Sequence, residues 1–442
     1  MAIHSGVPIT EARPKLVRAM GLLDLTAAGI NGVIGAGIFL IPADISRLLG
    51  PAGIWAYLFA GFAIALIVLC FAEAASRIQV TGGPYAYTRP VLGRFIGFQV
   101  GWMTWLARIT GLAALSNGFS TYLGYFWPPA AGSQKMIAIT LLMAFVTVMN
   151  VVGVNYGKTV VNALTISKVL PLALFVIAGF WFVDWRRYQS TALSAGAPLG
   201  EATLLLVFAL TGWEIIAIPA EEIKEPRRTL PKALLFTICF VTLFYVLIQL
   251  VAYGVFPGIE NSRTPIASAA ERLYGTTAGS GITLAALLSI TGTCGGLMLA
   301  GPRMLYAFAL EGEIPKLFAR VHQTFRTPHV SILFTACCAL ALAYVGNFAQ
   351  MGRLAAVARL VSYVGVCAAL PLLRRRITDP DAPPLLLPGG WTLPVAAVAC
   401  SIWLIANMQY QQFVLGLIAA ALGITLYLAG RSQRRVIEGR RD

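Results

Sequence analysis

Apolar segments separated by short polar breaks follow one another along most of the chain. Glycine, proline and charged residues mark the ends of these segments, most of which reach roughly the 20 residues that a helix needs to cross a bilayer. The predicted spans are residues 22–48, 52–77, 94–124, 135–152, 160–182, 201–219, 232–254, 279–310, 328–344, 354–373, 391–408 and 412–430. The pattern therefore predicts an all-α polytopic membrane protein with about twelve transmembrane helices.

Composition supports this class and restricts the partners. Of 442 residues, 58% are hydrophobic and 12% are charged, against roughly 25% charged residues in soluble domains. The net charge of +15 comes mostly from basic residues before the first span, after the second, sixth, eighth and tenth spans, and after the last. Alternating spans place all these clusters on one side, which predicts cytoplasmic termini and contact with lipid rather than nucleic acid.

Two of the predicted spans are interrupted by glycine. The first contains "INGVIGAGIFLIP" (residues 30–42) and the sixth contains "FALTGWE" (residues 208–214). One interpretation is that these glycines do no more than allow neighbouring helices to pack closely. Two broken helices at matching positions of two halves, however, favour a substrate site at the membrane midplane of a secondary transporter.

Four longer motifs resemble those of the amino acid, polyamine and organocation (APC) transporters. They are "GVIGAGIFLIP" (32–42), "TGGPYAYTRPVLGRFIGFQVGW" (81–102), "EEIKEPRRTLPKA" (221–233) and "RMLYAFALEGEIPKLFARVH" (303–322). The stretch "RRRITDPDAPPLLLPGG" (374–390) is similar to a linker of the sodium-independent L-amino acid branch.

This resemblance implies the leucine-transporter fold, with alternating access around broken helices 1 and 6. It divides the chain into a cytoplasmic N-terminus (1–21), a first five-helix repeat (22–182), a second, inverted five-helix repeat (201–373), helices 11 and 12 (391–430) and a cytoplasmic C-terminus (431–442).

The resemblance also implies a substrate cradle made from backbone groups at the two breaks. A free helix N-terminus presents N–H groups to a carboxylate, and a free C-terminus presents carbonyls to an ammonium. The amides of Ala36 and Gly37 would bind the carboxylate, and Gly35 and Gly37 would let the ligand approach closely. The carbonyls expected to bind the ammonium are those of Val33, Ile34, Phe208 and Thr211.

Side chains around this cradle should decide specificity. Phe208 resembles an aromatic lid, and Leu297 stands where arginine-exchanging relatives carry a tryptophan. The leucine disfavours a cationic substrate, because a cation gains from an aromatic face. Thr293, Cys294 and Trp213 are expected to complete the pocket.

Lys168 and Glu214 are charged residues inside predicted spans. A charge is costly there, so each is expected to have a structural or functional role. The resemblance assigns Lys168 to the place of the sodium ion of sodium-coupled relatives, with its ammonium offered to the carbonyls near Gly32 and Val33. The alternative is a lysine that snorkels to the interface. Glu214 resembles a residue used in proton sensing or gating, or else it is a fixed partner for freed backbone N–H groups.

Arg108 and Arg359 are less expected in the third and tenth spans. If both face the cavity they can bind an acidic side chain, and if they pair with Glu214 or with carbonyls they act as structural gates. Glu73 is expected to join Arg77 and the loop after the sixth span in a cytoplasmic network.

These observations predict a sodium-independent secondary transporter of neutral or broad-range L-amino acids, driven by protons or by exchange. It is expected to be a monomer in the plasma membrane. An acidic amino acid or polyamine carrier is the alternative of the same fold. A membrane-bound enzyme is disfavoured, because the three histidines lie far in sequence from the glycine stretches. No metal site or cofactor is expected, and the seven cysteines are interpreted as small hydrophobic residues.

Overall fold

The computed structural model describes residues 21–78, 83–153, 158–217, 223, 225–376, 385–387 and 389–438. Helices make up most of this part of the chain, and the all-α class is confirmed. The α-helices are α1 (Leu22–Val33), α2 (Gly37–Leu49), α3 (Gly53–Arg77), α4 (Gly83–Leu123), α5 (Lys135–Val152), α6 (Lys158–Gly179), α7 (Leu199–Ala209), α8 (Pro226–Val255), α9 (Pro265–Tyr274), α10 (Thr276–Leu310), α11 (His329–Val345), α12 (Phe348–Arg376), α13 (Thr392–Ala406) and α14 (Tyr410–Glu438).

These helices follow the predicted spans closely. Within the described residues, seven helical stretches are long and apolar enough to cross a membrane, and α1, α7, α11 and α13 are shorter apolar helices. Three predicted spans were drawn too short: α8, α12 and α14 extend them by about two to three turns in all, since polar residues continue a helix beyond its apolar part. The predicted start of the third span at residue 94 coincides with a kink in α4, where Gly93 has non-helical backbone angles (φ 85°, ψ 169°). The helix α9 was not predicted, because its composition is that of a polar connection.

Large apolar side chains cover the outside of the helices. Phe62, Leu141 and Ile177 are each at least 60% exposed, which would be unfavourable in water but suits contact with lipid. The protein is therefore a multi-pass membrane protein. The side of the membrane on which its ends lie stays a prediction.

The first predicted span consists of two helices. The helix α1 ends at Val33 and α2 begins at Gly37. Residues 34–36 lie between them: the amide of Ile34 makes the last bond of α1, to the carbonyl of Ile30 at 2.9 Å, and the carbonyl of Ala36 accepts the first bonds of α2. The glycines that made this span unusual thus coincide with a real interruption of the helix.

The sixth predicted span is also interrupted. The helix α7 ends at Ala209, and a short 3₁₀ segment follows at Trp213–Ala217. Gly212 lies between them with φ +117°, and a Cβ atom there would lie 2.2 Å from the carbonyl oxygen of Gly32. Only glycine fits this position, because the backbone conformation and the close approach each exclude a side chain.

The two interruptions face each other in the centre of the protein. Helix α1 packs against α8 and against the 3₁₀ segment after α7, while α2 packs against α7. Helices α4, α10 and α12 pack together alongside, and α3 packs between α8 and α12. The broken backbone is therefore surrounded by protein, as interrupted helices in a membrane require.

Parts of several predictions lie outside the described residues. These are residues 1–20, 79–82, 154–157, 218–222, 224, 377–384, 388 and 439–442. They include most of the predicted N-terminal segment, a short piece of the predicted first repeat, and parts of the loops after the second, sixth and tenth spans. The division into two inverted halves also stays a prediction.

Candidate functional site

The start of α2 carries two backbone amides that are not used within the described chain. Among the described residues, the amides of Ala36 and Gly37 have no hydrogen-bond partner, and the carbonyl of Ala36 already accepts from Phe39 and Leu40 at 3.1 and 3.2 Å. This is the geometry of a free helix N-terminus, which favours an anion through its N–H groups and its dipole.

Three of the four carbonyls predicted to accept from an ammonium already accept hydrogen bonds within the protein. The hydroxyl of Tyr245 donates to Val33 at 3.3 Å, and that of Thr211 donates to Phe208 at 2.7 Å. Ile34 accepts from Lys168 and Ser289. A carbonyl oxygen has two lone pairs, so Val33 and Phe208 each keep one acceptor position, whereas both positions of Ile34 are taken.

Lys168 of α6 connects to the end of α1. Its ammonium donates to the carbonyls of Asn31 and Ile34, both at 2.8 Å. These carbonyls flank Gly32 and Val33, so the predicted contact of Lys168 with the carbonyls near those two residues is confirmed. The residue is only 2% exposed, so the snorkelling alternative is wrong.

Glu214 lies just after the second break and is held at both oxygens. One carboxylate oxygen accepts from the amide of Gly212 at 2.8 Å. The other accepts from the hydroxyl of Tyr363 and lies 4.0 Å from a guanidinium nitrogen of Arg359. The carboxylate therefore satisfies an amide freed by the break and links it to α12, while its role in proton exchange stays a prediction.

Arg108 of α4 joins this charged group. It lies within electrostatic reach of Glu214, Arg359 and Tyr363, and it packs beside Gly301 of α10. Within the described part of the chain, neither arginine donates a hydrogen bond to a backbone carbonyl. Arg359 pairs with Glu214, as the structural-gate alternative expected.

Thr293, Leu297 and Phe208 come together beside the breaks. A Cβ atom built at Gly35 would lie 3.4 Å from the side chain of Thr293. One built at Gly111 would lie 3.3 Å from Leu297 and 3.9 Å from Phe208. These contacts place all three side chains close to the unpaired backbone, in the region predicted for the substrate's side chain.

Two predicted pocket residues are engaged elsewhere. Trp213 is fully buried. Its ring packs edge-on against Phe71, with ring centroids 5.0 Å apart, and at a tilt against Tyr363, with centroids 5.5 Å apart. Cys294 is 1% exposed. Neither side chain forms an accessible wall here, because Trp213 belongs to an aromatic cluster and Cys294 follows Thr293 onto a different face of α10.

Sequence reasoning missed three hydroxyl groups at the site. Tyr245 bridges the breaks because its hydroxyl shares its single proton between the carbonyls of Val33 and Ala209, at 3.3 and 3.4 Å. Ser289 donates to Ile34 at 3.1 Å, and Tyr363 donates to Glu214. Their only signal in the sequence is a hydroxyl inside an apolar span, which many structural residues share.

Glu73 forms a second buried charged group, at the end of α3. Its carboxylate accepts from Arg77 at 3.1 Å and from two nitrogens of Arg374 at 2.7 and 2.6 Å. The amide of Leu387, in the segment before α13, also donates to it at 3.3 Å. The predicted pairing with Arg77 is thus present, while the predicted loop partner lies largely outside the described residues.

Comparison with known proteins adds an independent line of evidence. A family model described as amino acid permease matches residues 20–424. Three similar proteins come from Bacillus subtilis: a methylthioribose transporter (27% identical, 93% of each chain), the branched-chain amino acid permease BcaP (27%, 96% of each chain) and the serine/threonine exchanger SteT (28%, 94% of this chain and 95% of the relative).

The match covers both helix breaks and the residues around them. It includes Lys168, Glu214, Arg108 and Arg359. The relatives named above are transporters rather than enzymes, although their names give different substrates. With its multi-pass helical fold and its two interrupted helices, the chain belongs to the amino acid permease family of membrane transporters.

Proposed function

We propose that the protein is a sodium-independent secondary transporter that moves L-amino acids of neutral or broad range across the plasma membrane by alternating access. The observation that carries the proposal is the position of the Lys168 ammonium, 2.8 Å from two carbonyls at the first break. A cation that is part of the chain occupies this oxygen-rich position, so the break is held without a bound sodium ion.

The backbone groups at the breaks suit the part that all L-amino acids share. The unpaired amides of Ala36 and Gly37 can bind the α-carboxylate, while the carbonyls of Val33 and Thr211 can accept from the α-ammonium. Backbone groups provide this recognition without introducing a further bare charge into a medium of low dielectric. The relatives named for branched-chain amino acids and for serine and threonine support substrates of this kind.

The proposed cycle alternates access between two sides of the membrane. The two broken spans begin the halves 22–182 and 201–373, and the site lies between them. The energy comes from a proton gradient or from exchange for an internal amino acid. The protein works as a monomer with both ends in the cytoplasm.

Uptake into proteoliposomes tests the proposal. Purified protein is reconstituted, and uptake of labelled L-leucine, L-serine and L-glutamine is measured with an imposed sodium gradient, an imposed proton gradient, or unlabelled amino acid inside. We expect uptake without sodium, increased by a proton gradient or by internal amino acid. A strict requirement for sodium, or no uptake above that of protein-free liposomes, would contradict the proposal.

A further inference from the structure

The charged group beside the second break contains one more positive charge than negative charge. Arg108 and Arg359 each carry one positive charge, and Glu214 is the carboxylate that faces them. Tyr363, the other titratable side chain within reach of Arg108, is a phenol. An unbalanced charge inside membrane-spanning helices is costly, and such residues usually mark a binding site or a pathway.

The hydrogen-bond donors of this group are also incompletely used. The Nε atom of Arg108 is buried without a partner, and within the described residues this side chain makes no hydrogen bond or ion pair. Arg359 reaches Glu214 only at 4.0 Å. Both carboxylate oxygens of Glu214 already accept shorter bonds, from Gly212 and Tyr363. A buried N–H donor without an acceptor is unfavourable, and Arg108 as a whole is partly accessible, so an acceptor outside the chain is expected.

The position of Arg108 relates this group to the cradle. Arg108 precedes Gly111 by about one helical turn, and Gly111 faces Leu297 and Phe208. It packs beside Gly301, about one turn beyond Leu297 on α10. The arginine thus lies one turn from the layer in which the substrate's side chain is expected, toward the C-terminal end of α10.

We propose that Arg108 and Arg359 form a binding site for a monovalent anion, a carboxylate or a halide, between α4 and α12. This site balances the charge of the cluster and supplies the acceptor that the guanidinium of Arg108 lacks. Guanidinium groups suit this task because they bind carboxylates with two parallel hydrogen bonds. The inference rests on the proposed function for one of its two sources, the side-chain carboxylate of a transported amino acid. The other source is a free inorganic anion.

Thermal unfolding of the purified full-length protein tests the site and separates the two sources. The apparent Tm is titrated with L-glutamate, with L-glutamine, and with L-glutamine in the presence of chloride. The buffer anion is otherwise the bulky sulfonate MES. The variants are Arg108→Gln, Arg108→Lys and Arg359→Gln, with Arg303→Gln as control because Arg303 is an exposed arginine on α10.

If the anion is part of the substrate, L-glutamate raises the Tm at a concentration about tenfold lower than L-glutamine does, since a charge-assisted contact is gained. If the anion is free, chloride lowers the half-saturating concentration of L-glutamine by a similar factor. In either case Arg108→Gln and Arg359→Gln remove the effect, Arg108→Lys retains part of it, and Arg303→Gln leaves it unchanged.

The site is disproved if wild-type protein shows neither effect, or if an effect persists at full size in both glutamine variants. Two such variants are used because one of them can fail to fold. Stabilisation by L-glutamine without any anion effect would disprove the site and leave the proposed function standing. An Arg108-dependent shift with chloride alone, and none with any amino acid, would support the site and contradict the proposed function.

Discussion

The carbonyl oxygen of Ile34, where the chain leaves α1, accepts a hydrogen bond of 2.8 Å from the ammonium of Lys168. Ser289 of α10 donates to the same oxygen at 3.1 Å. One backbone atom at the first break is thereby held by two neighbouring helices. Because a carbonyl at a helix end has no partner of its own, these donors fix the direction in which the chain enters the break.

Replacing Lys168 by methionine should reduce transport at least tenfold. The variant keeps the apolar stem but leaves the carbonyls of Asn31 and Ile34 without their charged donor, a loss of about 1.5–3 kcal/mol for each hydrogen bond to a charged group. Uptake of labelled L-leucine into proteoliposomes provides the measurement, with size-exclusion chromatography to check folding. Lys316→Met, at an exposed position, is the matched control. Wild-type uptake by Lys168→Met would show that the tether is dispensable.

Tyr245→Phe should weaken substrate binding while the fold is kept. Its hydroxyl spans the two breaks by donating to Val33 and Ala209. Losing one hydrogen bond costs about 1 kcal/mol, which corresponds to about a fivefold higher half-saturating substrate concentration. Concentration-dependent uptake measures the change. An unaltered value would mean that the bridge does not hold the cradle, and a loss of all folded protein would show a structural role alone.

Gly37→Ala should abolish transport. A Cβ atom at this position would lie 2.6 Å from the Cβ and 2.8 Å from the Cα of Ala209. The added methyl group would therefore force the start of α2 away from the end of α7, where the two breaks meet.

Gly296→Ala is the control for this change. No atom lies within 4 Å of a Cβ built at Gly296, and alanine is the better helix former by about 1 kcal/mol. We expect wild-type uptake and an equal or higher Tm for this variant. Uptake by Gly37→Ala that matches uptake by Gly296→Ala would show that the close approach of α2 to α7 is not needed.

Glu73→Gln should destabilise the folded protein. The carboxylate is completely buried and accepts from Arg77, Arg374 and the amide of Leu387. Removing one partner of a buried ion pair leaves uncompensated charge and typically costs about 3–5 kcal/mol.

The apparent Tm in detergent measures this effect, and Glu225→Gln is the control. Glu225 also pairs with an arginine, Arg228, but at 4.0 Å and with both side chains at least 75% exposed. Such pairs contribute about 0–1 kcal/mol, so the control should unfold at the wild-type temperature. Equal Tm values for the two variants would contradict a stabilising role for the buried group.

Helix positions were predictable because lipid imposes a strong requirement on composition. Lys135–Val152 was predicted to the residue, since charge and glycine bound an uninterrupted apolar run. The interruption at residues 34–36 was also predictable, because glycines are poor helix formers and the family motif lies there. The amphipathic α9 carries no such signal, and neither do the polar extensions of α8 and α14.

Side-chain partners at the site were less predictable, since they depend on the rotation and depth of each helix. For Lys168 a contact with the carbonyls near Gly32 and Val33 was predicted, but not that the two acceptors would be those of Asn31 and Ile34. Trp213 directly precedes Glu214 in sequence, but its ring joins Phe71 and Tyr363. No local pattern shows which hydroxyls of distant helices, such as those of Tyr245 and Tyr363, will face the breaks.

The contact between Gly212 and the carbonyl of Gly32 links the two interruptions mechanically. The two backbones approach so closely that a single Cβ atom at Gly212 would lie 2.2 Å from that oxygen. Neither broken helix can then tilt far without pushing or releasing the other. We expect the pair to behave as one hinge, so that a substrate that orders one break also orders its partner.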